Sequence, residues 1–374
     1  MLLIITSKIN KTQPGGVRLV SLFEGYQNIH ENTLMVHSKN SDGITGWITK
    51  VVNKGVSNRR MRLLGMLTRR YLIRDFVLDE YCFTLHNYKK VLMGHLRDTP
   101  ESTVLICCAP YSLLLLAKII KSLAPETHLI LDLGDPFSFN MSFSRIRSYI
   151  ARHIEKKYLP YYEKIVVLNE VQQERYMSMY PAISYKFIVI EQGVDESFVL
   201  SARKKQPHKK RKFTFIYAGA FYKKGRTASY LFRSIKHFEN CKLKIYTSAE
   251  WARKLVKSKN VEWNGRISRN ELAIATSEAD AIVIIDNDYG CHVPGKTLES
   301  LALEKPVLFI YNNENSPSLK YVQQARGVVI AKNDEDSISQ AITLIICGNY
   351  NQPFFDYSPY TWSTIRAKYR DLLL

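Results

Sequence analysis

Apolar runs of strand length recur along the whole chain and alternate with amphipathic stretches of helix length, and no other feature restricts the fold as much. In the first half, residues 2–6, 33–37, 103–107, 128–132 and 164–168 read as strands, with 187–190 closing the set. Helices are expected from 17 to about 27 and over 111–123, 144–158 and 170–179, where apolar side chains return every third or fourth position. In the second half, 214–217, 242–246, 261–263, 281–285, 307–310 and 327–330 read as strands, and helices such as 227–237 and 296–303 fill most of the gaps. Strand–helix alternation implies parallel sheets covered on both faces, so the expected class is α/β.

The 374 residues are about twice the usual domain length. We therefore expect two Rossmann-like domains facing each other across a cleft: 1–200, then 201–355, with a C-terminal helix in 356–374 packing back on the first. A basic, proline-containing run at 203–212 reads as the linker. Open α/β sheets bind ligands beyond the carboxyl ends of their strands, which makes that cleft the default site. A chain that is 46% hydrophobic and 23% charged is globular rather than fibrous or disordered. The most apolar stretch, 103–117, is broken by Pro110 and Ser112 and is too short to span a bilayer. The N-terminus lacks a basic n-region and reads as a first buried strand. Cys82, Cys107, Cys108, Cys241, Cys291 and Cys347 form no C-x-x-C pair, which suits reduced thiols in the cytoplasm and argues against a zinc site or disulfide framework.

Fifty-three Lys and Arg against 34 Asp and Glu give a net charge of +19, which points to a polyanionic partner. One basic cluster, within 54–76, holds Lys54, Arg59, Arg60, Arg62, Arg69, Arg70 and Arg74, interleaved with Met61, Leu63, Leu64, Met66, Leu67, Leu72 and Ile73. That mixture suits an element lying on an anionic leaflet; a surface helix with one partly buried face accounts for it equally. Nucleic acid is disfavoured, because the chain has no zinc finger and no aromatic-interleaved RNA-binding strand.

Two segments carry the chemistry. Gln13-Pro14-Gly15-Gly16-Val17 follows the first strand, and reads either as a tight turn or as a place where backbone N–H groups meet an anion at a helix start. It is not G-x-G-x-x-G, and no acid closes the second strand, so a nicotinamide enzyme is disfavoured. Further on, His292-Val293-Pro294-Gly295-Lys296-Thr297-Leu298-Glu299 puts a Pro-Gly turn before a helix, with Lys296 in its first turn and Glu299 three residues on. Ammonium and helix start converge on a diphosphate, and the carboxylate meets ribose hydroxyls. The alternative is a solvated lysine and a capping glutamate.

The longer stretch, with Pro294, Lys296, Glu299, Ala302, Lys305 and Pro306, resembles the donor-nucleotide motif of GT-B-fold glycosyltransferases, in particular family 4. Other segments are similar to that family in the same order. Ile165–Glu170 resembles the strand before the last helix of the N-terminal domain. Val189-Ile190-Glu191-Gln192-Gly193-Val194-Asp195 resembles the interdomain element, and 215–226 the first strand and phosphate loop of the C-terminal domain. Asp132-Leu133-Gly134-Asp135-Pro136-Phe137 resembles a box of bacterial surface-polysaccharide transferases.

The resemblance implies a retaining, metal-independent hexosyltransferase without a cofactor. Its donor is a nucleoside-diphosphate sugar and its acceptor a membrane-anchored or oligosaccharide glycan, in assembly of O-antigen, capsule or exopolysaccharide. The protein would be cytoplasmic and peripheral on the inner membrane face. In that reading Gly15, Gly16, Gly219, Pro294 and Gly295 bring backbone close to the donor. Arg226 (or Lys224) and Lys296 clamp the diphosphate, Glu299 holds the ribose, and Asp135 serves the acceptor side. Asp286-Asn287-Asp288 matches D-x-D formally but falls where the family has a donor-sugar loop rather than a metal site. Two positions depart from the pattern: Cys291 stands where the family has a first glutamate, and Gly134 where the box has Arg or His. A catalytically inactive accessory subunit, a basic nucleic-acid-binding protein and a nucleotide-sugar epimerase are the alternatives.

Overall fold

The structure of the protein is a computed structural model that describes residues 2–6, 14–23, 33–37, 48–51, 79, 82, 85–108, 110–140, 143–203, 212–222, 226–256, 258–288 and 290–373. The basic cluster at 54–76, most of the run at 203–212, and Lys224 lie outside these residues. The chain divides into two compact units, Met1–Gln192 with Ile365–Leu374, and Gly193–Thr364.

The first unit is built on seven parallel strands: β1 (Leu2–Ile5), β2 (Thr33–His37), β3 (Ile48–Val51), β4 (Thr103–Cys107), β5 (His128–Asp132), β6 (Lys164–Val167) and β7 (Phe187–Val189). Their order is β3-β2-β1-β4-β5-β6-β7, with Leu2 in register with both Thr33 and Thr103. Leu3, Ile4, Leu105, Leu131 and Val166 are buried completely, as the continuous apolar runs demand of a sheet covered on both faces. Helices α1 (Pro14–Phe23), α2 (Leu85–Leu96), α3 (Leu116–Leu123), α4 (Arg145–Tyr158) and α5 (Glu170–Met179) connect the strands. Ser144 caps α4 by accepting from the Arg147 N–H, and Asn169 caps α5 by accepting from the Gln172 N–H.

The second unit carries six parallel strands: β8 (Phe213–Ala218), β9 (Cys241–Tyr246), β10 (Val261–Trp263), β11 (Ala281–Ile285), β12 (Val307–Tyr311) and β13 (Val328–Lys332). Their order is β10-β9-β8-β11-β12-β13. The two sides of this sheet pack into separate cores. Ile216, Ile282, Ile284 and Phe309 enter one, while Phe215, Tyr217, Val283 and Ile310 enter the other, which is the two-residue period of a pleated strand. Towards the β10 edge the period becomes visible in the sequence, because Lys242 and Lys244 on β9 alternate with buried Cys241, Leu243 and Ile245. Helices α6 (Glu196–Arg203), α7 (Ser229–Ile235), α8 (Arg269–Glu278), α9 (Thr297–Leu301), α10 (Ser318–Gln324) and α11 (Glu335–Ile346) complete the unit, and α12 (Trp362–Leu373) ends the chain.

Several elements differ from expectation. The helix after β1 starts at Pro14, so Gly15 and Gly16 lie in its first turn rather than in a turn ahead of it. Proline is favoured there because its missing N–H would have had no partner in a helix start. The segment 111–123 opens as a 3-10 turn over Tyr111–Leu115 before α3 begins. Strand β3 and helix α2 were not expected, since Ile-Thr-Lys-Val is short and α2 mixes Lys89, Lys90 and His86 with its apolar positions.

Candidate functional site

In each unit the strand order reverses at the first strand, between β1 and β4 and between β8 and β11. The loops at the carboxyl ends of those strand pairs diverge and leave room for a ligand.

In the second unit, β8 runs into Gly219. A Cβ on Gly219 would lie 2.7 Å from the Tyr217 hydroxyl, so glycine is required there by Tyr217. Burial pushes the Tyr217 phenol up to about 12, against the attraction of Arg226, and its hydroxyl donates to the Ala220 carbonyl at 2.8 Å. Arg226 is buried, with only 9% of its surface exposed. A backbone bridge to Tyr222 fixes it, and its guanidinium lies 5.4 Å from that ring. Its Nη2 donates to Asn287 Oδ1 at 2.7 Å, while its buried Nε has no hydrogen-bond partner among the described residues.

Asn287 is the hub of the loop after β11. Besides accepting from Arg226, it donates through Nδ2 to the His292 carbonyl at 2.9 Å. The flanking acids serve elsewhere. Asp286 accepts from the Ser318 hydroxyl at 2.8 Å, and Asp288 accepts from Asn312. Burial raises the Asp286 pKa, against the Ser316 and Ser318 hydroxyls and Arg226. Cys291, in the same loop, is buried.

Lys296 caps α9 rather than standing inside its first turn, and Pro294 accepts from the Thr297 N–H at 2.8 Å. Gly295 beside it borders open space. The Lys296 side chain is exposed by surface area. Its ammonium is nonetheless surrounded by enough protein for desolvation to lower its pKa; Glu299 opposes that shift, and Arg269 and Arg266 add to it. Glu299 is nearly buried and gripped by Arg269, with Nη2 2.5 Å from Oε1 and Nη1 3.2 Å from Oε2. The same guanidinium donates from Nε and Nη2 to Asp195 Oδ2 at 3.2 and 3.1 Å, and stacks 4.1 Å from the Phe198 ring. Burial works against the Arg269 charge, but Glu299 and Asp195 outweigh it and raise its pKa. Burial likewise works upward on Asp195, yet the Ser197 hydroxyl, the Phe198 N–H and Arg269 hold it below the ordinary carboxylate value.

The remaining motif positions are structural. Lys305 donates to the Ser277 carbonyl at 2.9 Å and to the Ala279 carbonyl, closing the C-terminus of α8. Arg203 donates to the Ala302 carbonyl from Nε and Nη2 at 2.9 and 2.6 Å.

In the first unit, α1 delivers Arg18 into the interior. It donates to Asp132 Oδ2 (3.4 Å), the Glu191 carbonyl (3.1 Å), Gln192 Oε1 (3.3 Å) and the Tyr369 hydroxyl (2.9 Å). Desolvation opposes this charge, but Asp132 and Tyr369 overcome it and push the Arg18 pKa up. Asp132 is thus the buried partner of Arg18, while Asp135, three residues on, is exposed. The turn that carries Asp135 is braced from below by Phe137, stacked 4.4 Å from Tyr111, and by the Ser138 N–H, which donates to Glu155 Oε1 at 3.0 Å. Glu155 is fully buried and also accepts from the Tyr176 and Tyr180 hydroxyls at 2.9 and 2.7 Å; burial raises its pKa.

The second unit therefore gathers Arg226 with the loop 286–293, and Lys296 with Glu299. Gly15, Gly16 and Asp135 belong to the first unit. Sequence reasoning missed Arg18, Glu155, Arg269 and Asn287 as organising residues. Only Arg269 had a local signal, since Ser268-Arg269-Asn270-Glu271 spells the capping box that opens α8.

No protein-family model and no curated protein sequence matches the chain. Solved structures do, over nearly their whole length. Sucrose-phosphate synthase from Thermosynechococcus elongatus superposes with a TM-score of 0.71 at 13% identity, covering 99% of this chain and 97% of that one. The Anabaena protein HepE, in complex with UDP and glucose, gives 0.65 at 11%, covering 100% and 98%. WaaG, a glycosyltransferase involved in lipopolysaccharide biosynthesis, gives 0.59 at 11%, covering 99% and 95%. At such identities the likeness establishes the fold alone: two Rossmann-like parallel-sheet domains, as in the GT-B fold.

Proposed function

We propose that the protein is a retaining, metal-independent glycosyltransferase that moves a sugar from a nucleoside-diphosphate sugar to a lipid-linked or oligosaccharide acceptor in surface-polysaccharide assembly. One observation carries the reading furthest: a buried arginine, a lysine at the start of a helix and a carboxylate oriented by Arg269 all lie at the carboxyl edge of one Rossmann sheet. Breaking a sugar–diphosphate bond leaves negative charge on the phosphates, and fixed cations in a water-poor site stabilise that charge. Arg226 and Lys296 take this role. Glu299, held by Arg269, keeps lone pairs on both oxygens for ribose hydroxyls. Gly219, Pro294 and Gly295 shape the backbone around the donor, and Lys224 is the alternative to Arg226 at the diphosphate. In this reading Gly15 and Gly16, in the first turn of α1, bring backbone close to the donor, and Asp135 serves the acceptor hydroxyl. The donor in this reading is of the class that HepE holds in its complex with UDP-glucose. Acceptors anchored in the cytoplasmic membrane place the protein on its inner face, with 54–76 as one contact.

Cys291, standing where the family has a glutamate, favours one second reading, an accessory subunit of this fold that binds nucleotide without turnover.

A thermal-shift panel of UDP, GDP, ADP, CMP and dTDP on wild type and Lys296→Ala tests the proposal. Stabilisation by one nucleotide, lost in Lys296→Ala, supports it and names the base. Absence of any shift at saturating nucleotide sinks it. Turnover of the matching sugar nucleotide then separates enzyme from accessory subunit, and the anomeric configuration of the product decides retention.

A further inference from the structure

Helix α4 (Arg145–Tyr158) has a face that is exposed and carries basic side chains but no acid. Arg145, Ile146, Tyr149, Arg152, Lys156 and Lys157 are all exposed. At 3.6 residues per turn they occupy one continuous arc of about 140°. No acid falls on that arc. The helix has one acidic residue, Glu155, and it is fully buried on the opposite side. Two large side chains lie within the arc rather than at its margin: Ile146 is 51% exposed and Tyr149 is 64% exposed. Tyr149 is steadied by the His153 ring, 4.4 Å away.

We propose that this face of α4 docks on an anionic lipid bilayer, with Arg145, Arg152, Lys156 and Lys157 at the headgroups and Ile146 and Tyr149 entering the interface. The charge selects the partner. Four fixed cations without a neighbouring acid on the same face match a sheet of negative headgroups, and the attraction falls off within a Debye length. The apolar pair selects a bilayer over other polyanions. A phosphate backbone gives an exposed isoleucine nothing to enter, whereas the headgroup–acyl boundary takes aliphatic and aromatic side chains together with basic ones. This extends the membrane part of the proposed function to a second element, and rests on that reading only for its purpose.

The inner side of the helix gives the docking a consequence. Glu155 accepts from the Ser138 N–H, and Arg147 lies 4.0 Å from the Phe143 ring, so α4 is tied to the turn that carries Asp135. A helix seated on the bilayer holds that turn close to the surface from which a lipid-linked acceptor would be presented.

The test is sedimentation of the full chain with vesicles of phosphatidylcholine alone and of phosphatidylcholine with one-third phosphatidylglycerol, at low and high salt. It compares wild type with Arg152→Gln/Lys156→Gln and with Ile146→Ser/Tyr149→Ser. Thermal unfolding and the nucleotide panel are run on each protein as controls for folding and for the donor site. The expected result is salt-sensitive binding to anionic vesicles only. The charge variant should fall by about tenfold or more and the apolar variant should also fall, with nucleotide stabilisation unchanged in both. Undiminished binding in the charge variant would assign the membrane contact to another element and overturn the inference. So would equal binding to neutral vesicles, no binding to either, or an apolar variant that binds as well as wild type. The nucleotide panel reports the donor site separately, so either reading can fail alone.

Discussion

Arg269 grips both carboxylate oxygens of Glu299 while its remaining donors reach Asp195, so one guanidinium orders two acids from separate parts of the second unit. If Glu299 holds the donor ribose, its geometry is set by Arg269. Removing the fork leaves a nearly buried carboxylate without its charge partner. Arg269→Ala is expected to weaken nucleotide binding by roughly 10- to 100-fold, the scale of about 1.5–3 kcal/mol for a charge-assisted contact. Arg269→Lys, which keeps charge but not the planar fork, should recover only part of this. Calorimetric titration with the nucleotide that stabilises wild type checks both, and an Arg269→Ala protein that binds normally would remove Glu299 positioning from the account.

Lys296 offers a different readout. Desolvation lowers its pKa in the free protein, with Arg269 and Arg266 assisting. A bound diphosphate favours the ammonium and shifts the pKa back up. Between the free and bound values, at alkaline pH, nucleotide binding must take up protons. Titrations in buffers of different ionisation enthalpy should show that uptake in wild type and none in Lys296→Ala. The same variant should lose about 100- to 1000-fold in turnover, as removal of one preorganised donor does.

Much of the fold was legible because it rests on runs of apolar residues. Twelve of the thirteen described strands coincide with segments whose uninterrupted or alternating apolar pattern marks a sheet, and were read from it. β3 and α2 were not, since their lysines and histidine break the apolar period. Of the candidate site, the backbone signals survived best: Pro294 and Gly295 do precede a helix, and Gly219 does follow β8. Long-range partners were invisible. Arg18 meets Asp132 across 114 positions, and Arg226 meets Asn287 across 61. Nothing local in either member marks such a pair.

The Arg18–Asp132 pair is a stability device, and its two halves depend on each other. Both are buried, and Arg18 also holds the carbonyl of Glu191 and the hydroxyl of Tyr369. Arg18→Ala leaves the buried Asp132 without its ion-pair partner, at a cost of about 3–5 kcal/mol. The double substitution Arg18→Met/Asp132→Asn should recover a large part of that loss. Denaturant midpoints of the two single variants and the double variant give the coupling energy, and simple additivity would show that the pair does not act as a unit.

Gly193 is fixed by Trp362. A Cβ at Gly193 would overlap the indole ring, and the neighbouring backbone is locked by the Val194 N–H donating to the Tyr360 carbonyl at 2.7 Å. Gly193→Ala is therefore expected to destabilise by about 1–3 kcal/mol through overpacking. Trp362→Leu in the same chain should relieve part of it, because the smaller side chain vacates the space. If thermal unfolding shows Gly193→Ala as stable as wild type, the ring is free to move and the glycine is kept there for another reason.

Glu155 gives the chain a built-in pH dependence. Burial raises its pKa in the folded protein, against the donors Ser138, Tyr180 and Tyr176. A carboxyl whose folded pKa is raised favours folding most when protonated. Its contribution is complete below the unfolded value, about 4.3, and is lost as pH rises through the folded value. Glu155→Gln has no proton to lose and should lack that decline. The difference in melting temperature between wild type and Glu155→Gln, scanned from pH 5 to 8, should therefore be most favourable to wild type at the acid end and shrink as pH rises. A constant offset across that range would mean that Glu155 titrates in the folded chain as it does in the unfolded one, and that its three donors cancel the burial.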